Sequence, residues 1–350
     1  MQALILAGGE GTRLRPLTST VPKPVVPLVD RPFITYMLEW LQRHGVDDVV
    51  MSCGYMASGV RNVLGDGSQL GLRIRYVEEP RPLGTGGAVK FAEELLEERF
   101  LMLNGDVLTD MDLTAQIEQH ERSGARATIA LIPVDDPSRY GLVRIDADRR
   151  VEEFLEKPSS DQIDTDLINA GAYVLEREVF PRLVGDGLYA FPQQGYWLDI
   201  GTPATYLQAT FDILERTVAT TVGDRLGTSY LEVAGDVEAE GRIIPPALAG
   251  SGCRVAAGAR VGSQAVLGQG VRIGADTIVE SAVVLNGAEV GPGCTLRHCI
   301  IGPGARVGAN TVVEGGVVLG EGVTVGADNV LRAGARIFPG VELPDSAILF

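Results

Sequence analysis

The chain has 350 residues, 45% of them hydrophobic, and a formal net charge of −16. That length can bury more than one core, so more than one domain is expected. The acidic balance argues against a nucleic-acid partner, which needs a basic face, and no apolar run approaches the ~18 residues of a membrane span.

In chain order, Ala3-Leu4-Ile5-Leu6-Ala7 predicts a buried first strand over 2–7. With that strand at the start there is no room for a signal peptide, so the chain is expected in the cytoplasm. The strand runs into Gly8-Gly9-Glu10-Gly11-Thr12-Arg13, and about ten residues later comes Pro22-Lys23-Pro24. A glycine-rich turn after a strand leaves backbone N–H groups pointing outward, a nest suited to phosphate oxygens. Arg13 adds a planar cationic fork and Lys23 a compact charge. Of 30 basic residues only Lys23, Lys90 and Lys157 are lysine. A lysine kept between two prolines in an arginine-rich chain marks a place where a guanidinium would not fit. The spacing matches neither the P-loop nor the dinucleotide fingerprint.

Helices over 32–44, 56–64, 86–98 and 112–123 then alternate with strands over 47–52, 72–77 and 100–104. This is the pattern of an α/β domain with a mostly parallel sheet, which binds ligands at the carboxyl ends of its strands. The glycine-rich turn and Asp106 both fall at such ends. Asp110 is read as the N-terminal cap of the 112–123 helix, and Lys90 as part of a solvated helix face. Further strands over 126–133, 142–146, 151–155 and 171–175 follow without clear helices between them.

The period then changes. Aliphatic residues recur every six positions at Val255, Val261, Leu267, Ile273, Val279 and Leu285, step by five to Val290, by six to Leu296 and by five to Ile301. Steps of six resume from Val307 through Leu343 to Leu349. Six fits neither helix nor alternating strand; it is the hexapeptide repeat of a parallel β-helix. From Gly241 onward eight arginines balance eight acids, so the excess negative charge belongs to residues 1–240. The expected domains are 1–216, a linker and first irregular coil over 217–250, and a β-helix over 251–350. Cys53, Cys253, Cys294 and Cys299 form no Cys-x-x-Cys pair and the three histidines are scattered, so free thiols and no zinc site are expected.

The glycine-rich run with Pro22-Lys-Pro is followed by Pro82-Leu-Gly-Thr-Gly-Gly, Asn104-Gly-Asp-Val, Glu156-Lys-Pro, Asn169-Ala-Gly and Trp197-Leu-Asp-Ile-Gly-Thr. In this order they resemble the signature of the sugar-phosphate nucleotidyltransferases, and within them the guanylyltransferase branch that acts on mannose 1-phosphate. The resemblance covers nearly the whole chain. It implies a Rossmann-like nucleotidyltransferase domain followed by the left-handed form of the β-helix. The implied reaction joins a sugar 1-phosphate to a nucleoside triphosphate, giving a nucleotide-sugar and pyrophosphate. The nucleophile is a phosphate oxygen, mostly dianionic because its second pKa is near ~6, so no general base is required. The task is to bring two polyanions into line and stabilise the leaving pyrophosphate.

The resemblance assigns roles by residue. Arg13 and Lys23 contact the triphosphate and the leaving pyrophosphate. Asp106 and Asp199 hold Mg²⁺, although Asp106 alone is equally readable as a turn cap. Lys157 holds the sugar phosphate, and Gly141, Glu156 and Asn169 meet the sugar. Leu6, Gly8, Gly9, Gly11, Thr12, Glu79, Gly84 and Thr85 line the nucleotide. Glu78-Glu79 bears on the base: guanine offers two adjacent donors, N1–H and the 2-amino group, which suit a carboxylate, whereas the other bases offer donor beside acceptor, which suits an amide. An ordinary solvated acidic pair before Pro80 is the competing reading. Between Gly171 and Trp197 the chain is shorter than the resemblance implies, which leaves the choice of sugar open.

Alternatives at this point are a glucose-1-phosphate thymidylyl- or uridylyltransferase, or a non-catalytic nucleotide-sugar-binding regulatory subunit. A second acyltransferase site in the β-helix would need a histidine base, and only His298 is there. The expected partners are the small-molecule substrates and further copies of the chain, packed through β-helix faces.

Overall fold

The computed structural model describes residues 1–177 and 187–349. The chain divides into two compact units, one of Met1–Glu10 with Ile34–Leu198, the other of Gly11–Phe33 with the chain from Asp199 onward.

The first unit is built on a nine-stranded sheet. Strands β1 (Gln2–Ala7), β2 (Asp48–Cys53), β3 (Arg73–Glu78) and β4 (Arg99–Asn104) are its parallel part, in the order β4-β1-β2-β3. They are joined through α1 (Phe33–Arg43), α2 (Ala57–Leu64) and α3 (Gly84–Ala92). Leu4, Ile5, Val49, Val50, Leu101 and Leu103 are fully or almost fully buried, as continuous aliphatic runs covered on both faces should be. The predicted helix over 86–98 begins two residues earlier and ends at Ala92, with a 3-10 turn over Glu93–Leu95.

The sheet as a whole is mixed. Helix α4 (Leu113–Ser123) leads to β5 (Ala127–Pro133), β6 (Gly141–Ile145), β7 (Val151–Glu156) and β8 (Leu167–Glu176). β8 runs antiparallel to β4, β5 and β6, and β7 antiparallel to β6. Antiparallel neighbours need no crossover helix, and β5 to β8 follow one another without one. β9 (Leu188–Pro192) pairs in parallel with β5. The short stretch between Gly171 and Trp197 includes residues 178–186, which lie outside the described residues.

In the second unit α5 (Pro203–Leu214) starts behind a Thr202 cap. Three parallel sheets of seven, seven and six strands begin at Leu231, Glu238 and Arg242 and stack coil on coil, the arrangement of a left-handed parallel β-helix. Val255 stacks beneath Ile273, Val290, Val307, Val325 and Leu343, forming one inward column. The shortened hexad falls one residue earlier than the sequence suggests. Val284, not Leu285, stacks between Leu267 and Ile301. Leu349 also departs from the repeat: it is 63% exposed, and Ile348 packs against the core instead.

All four cysteines are free and buried. Burial, with the charge of Glu78, pushes the Cys53 thiol up to about 12. Among the described residues no helix is long and apolar enough to cross a membrane.

Candidate active site

The first unit brings together the turn after β1, the end of β2 and the start of α3. Leu6 pairs with Asn104 and Ser52 on the neighbouring strands. Gly105 donates its N–H to the Leu6 carbonyl at 2.9 Å, and a Cβ there would lie 2.7 Å from that oxygen. Only glycine lets the chain pass this close, and the next residue is Asp106, half-buried.

Two adjacent glutamates take opposite directions. Glu78 is exposed and pairs with Arg61 at 3.1 Å. Glu79 turns inward: the Ser52 hydroxyl donates to one of its oxygens at 2.8 Å and the Leu83 N–H to the other at 3.1 Å. A Cβ on Gly8 would sit 3.4 Å from the same carboxylate. Each oxygen holds one protein donor and keeps a further lone pair. Gly84, at φ +69°, and Thr85 open α3 and are exposed; N–H groups of a first helical turn have no partner within the helix. Gly9 is exposed, with nothing within 4 Å of a Cβ placed on it.

A second cluster of the same unit joins β6, β7 and β8. A Cβ on Gly141 would lie 3.3 Å from the Glu156 carboxylate and 4.0 Å from Asn169 Cβ. Asn169 accepts from the Gly171 N–H at 2.9 Å and donates to the Tyr173 hydroxyl at 2.5 Å. The Trp197 indole N–H donates to the Ala170 carbonyl at 2.8 Å, and Tyr140 meets Trp197 edge-on at 5.3 Å between centroids. Lys157 follows in the left-handed region at φ +48°, its N–H on the Tyr140 carbonyl at 3.0 Å and its ammonium 4.0 Å from Glu156. Its side chain is exposed.

The second unit holds the charged group. Arg13 and Lys23 each lie 3.8 Å from Asp199, one on each carboxylate oxygen. Lys23 is 8% exposed, and Arg13 is largely exposed. Gly11, at φ +62°, has room for a Cβ only at 3.1 Å from the Lys23 Cβ and from Thr18, whose hydroxyl donates to the Gly11 carbonyl at 2.8 Å. Thr12 starts the 3-10 turn Thr12–Leu14 that carries Arg13. Asp199 ends the strand Trp197–Asp199. A Cβ on Gly201 would lie 2.7 Å from the Arg13 guanidinium, so that glycine keeps space for the ion pair.

The predicted cap is corrected. Asp112 caps α4, accepting from the Ala115 N–H at 3.0 Å, because a cap must stand directly before the first turn. Asp110 instead accepts from the Tyr196 N–H at 2.8 Å. Lys90 is exposed and pairs with Glu93. His298 packs its ring 6.1 Å from Phe211. Sequence reasoning missed Ser52 and Thr18; a lone hydroxyl carries no sequence signal of the carbonyl or carboxylate it will meet.

Asp106 and Asp199 are half-buried carboxylates. Hard oxygen donors of this kind serve Mg²⁺ one or two at a time beside phosphate oxygens and water, so the donor chemistry fits that ion.

The nucleotidyl transferase family model matches residues 2–188, more than half of the chain, and the chain belongs to that family. It is a sugar-1-phosphate nucleotidyltransferase. A second model, the GMPPB C-terminal domain, matches residues 243–348. The chain is 37% identical to a mannose-1-phosphate guanylyltransferase of Mycobacterium tuberculosis, over 100% of this chain and 98% of that one. It is 35% identical to the mannose-1-phosphate guanylyltransferase catalytic subunit beta of Danio rerio, over 99% and 98%. Among solved structures, HddC from Yersinia pseudotuberculosis is 30% identical with a TM-score of 0.52, covering 59% of this chain and 97% of its own.

Proposed function

We propose that this enzyme transfers the guanylyl group of GTP to mannose 1-phosphate, giving GDP-mannose and pyrophosphate. The observation that carries the choice of base is the inward carboxylate of Glu79, aligned by Ser52 and Leu83, with lone pairs left for the two adjacent donors of guanine. The full-length guanylyltransferase relatives support the same choice.

In the reaction a sugar-phosphate oxygen bonds to the α-phosphorus while the α–β bridging bond breaks and pyrophosphate leaves. Arg13 and Lys23 meet the triphosphate and the departing pyrophosphate; Lys157 receives the sugar phosphate. Gly141, Glu156 and Asn169 meet the sugar hydroxyls, and the nucleotide lies along Leu6, Gly8, Gly9, Gly11, Thr12, Gly84 and Thr85. Asp106 and Asp199 would hold Mg²⁺, which when bound supplies positive charge to the phosphates. Residues 1–216 are taken as the catalytic domain and 217–250 as the linker and first coil, whose strands from Leu231 already pair with the next coils of the β-helix that continues over 251–350. The exposed Phe338 and Val341 support self-association through the β-helix, which light scattering of the purified chain would test.

The test of the function is pyrophosphate release across a panel of nucleoside triphosphates and sugar 1-phosphates. GTP with mannose 1-phosphate is expected to give the highest kcat/KM. A preference for dTTP or UTP with glucose 1-phosphate would replace this reading, and binding without turnover would make the chain a regulatory subunit.

A further inference from the structure

In the sheet that starts at Leu231–Val233, one outward column runs Leu248, Val266, Val283, Ile300, Val318 and Arg336, each paired with the next. The five aliphatic members are each 4% exposed or less. The column changes character only at its last member. Arg336 donates from a single guanidinium nitrogen to the carbonyls of Arg13, at 2.9 Å, and Arg15, at 3.0 Å. These carbonyls belong to the end of the Thr12–Leu14 turn and the residue that follows it, and the two N–H bonds of one guanidinium nitrogen serve one each. The two residues are 323 positions apart in the chain, and the contact lies wholly inside the second unit.

We propose that Arg336 is a positioning residue for nucleotidyl transfer: the last coils of the β-helix hold the backbone of the nucleotide loop so that Arg13 presents its guanidinium to the triphosphate. Arg336 touches no substrate. It acts through the Arg13 backbone, so its loss should weaken use of the nucleotide and leave the sugar phosphate alone. The proposal rests on Arg13 being a triphosphate contact, the reading given above.

The test compares Arg336→Ala and Arg336→Lys in the full-length chain. Arg336→Ala should lower kcat/KM for GTP about tenfold, the loss of a charged pair of hydrogen bonds at a partly wet site. KM for mannose 1-phosphate should not change, and the melting temperature should move by less than about 2 °C. Arg336→Lys keeps a cationic donor and should return kcat/KM to within about threefold of wild type. Wild-type kcat/KM for GTP in the alanine variant overturns the proposal. So does a loss shared by both substrates, with a lower melting temperature and no rescue by lysine. If the alanine variant does not fold, Arg336→Met keeps the apolar stem without a donor and carries the same comparison. If the wild type releases pyrophosphate from no nucleotide, the functional reading fails, and GTP titration decides: about tenfold weaker binding in the variant sustains the role of Arg336, equal binding or none in the wild type overturns it.

Discussion

The two units divide their residues by chemistry. The second unit gathers charge: Arg13 and Lys23 on either oxygen of Asp199, with Gly11 beside the Lys23 stem and Gly201 beside the Arg13 guanidinium. The first unit gathers shape and hydrogen-bond pattern: Glu79 held by Ser52 and Leu83, and Gly141 facing Glu156 and Asn169 beside the Tyr140–Trp197 pair. Phosphates are common to every substrate of this kind, while base and sugar differ. The comparison therefore predicts two kinds of mutant. Changes in the charged cluster should slow all substrates alike, and changes in the first unit's clusters should alter the ratio between substrates.

The largest expected effect is Asp199→Asn. It removes the charge that faces both cations and one of the two carboxylates assigned to Mg²⁺, and turnover should fall by roughly 10²-fold or more with the fold intact. The loss should be equal for GTP and dTTP. Near-wild-type turnover would break the assignment of charge to this cluster. Next is Lys23→Arg. Lys23 is buried between prolines with its ammonium 3.8 Å from Asp199, a place for a compact charge that the longer, planar guanidinium does not match. The arginine variant should fail nearly as badly as Lys23→Ala, by roughly tenfold to a hundredfold in kcat, and full activity would contradict that argument.

Smaller, and read as stability, is Gly171→Ala. Gly171 lies at φ +73°, and a Cβ would come within 2.6 Å of the Asn104 side chain. A loss of about 1–3 kcal/mol is expected in denaturant unfolding, from left-handed strain and crowding together. An unchanged midpoint would contradict both the strain and the crowding.

Much of this was legible before the fold was known, for physical reasons that can be named. The buried strands β1 to β4 announce themselves as aliphatic runs between amphipathic helices, and a six-residue period has no other common explanation than a β-helix. The charged cluster was legible as motifs: the glycine-rich turn that carries Arg13, the lysine kept between two prolines, and the Trp197-Leu-Asp-Ile-Gly-Thr run that holds Asp199. What escaped was set by tertiary partners. Asp110 and Asp112 are equally good caps on paper, and only the start of α4 at Leu113 decides between them. Glu78 and Glu79 alternate across a strand end, and the one that turns inward is the one that finds Ser52. The short hexad before Val284 and the outward Leu349 depend on coil stacking. Nothing local to Arg336 distinguishes it from the seven other arginines that follow Gly241.

The central claim is that base choice resides in the Glu79 carboxylate, and it has a direct measurement: kcat/KM for GTP and for dTTP in the wild type and in Glu79→Gln. The substitution replaces one acceptor with a donor, so one guanine donor would face another, a mismatch of about 1–3 kcal/mol. The same change suits a base that offers donor beside acceptor. The GTP-to-dTTP ratio should therefore fall by roughly ten- to a hundredfold, while Lys23→Arg leaves the ratio where it was. A Glu79→Gln enzyme with an unchanged ratio would contradict the claim and move base selection away from this carboxylate.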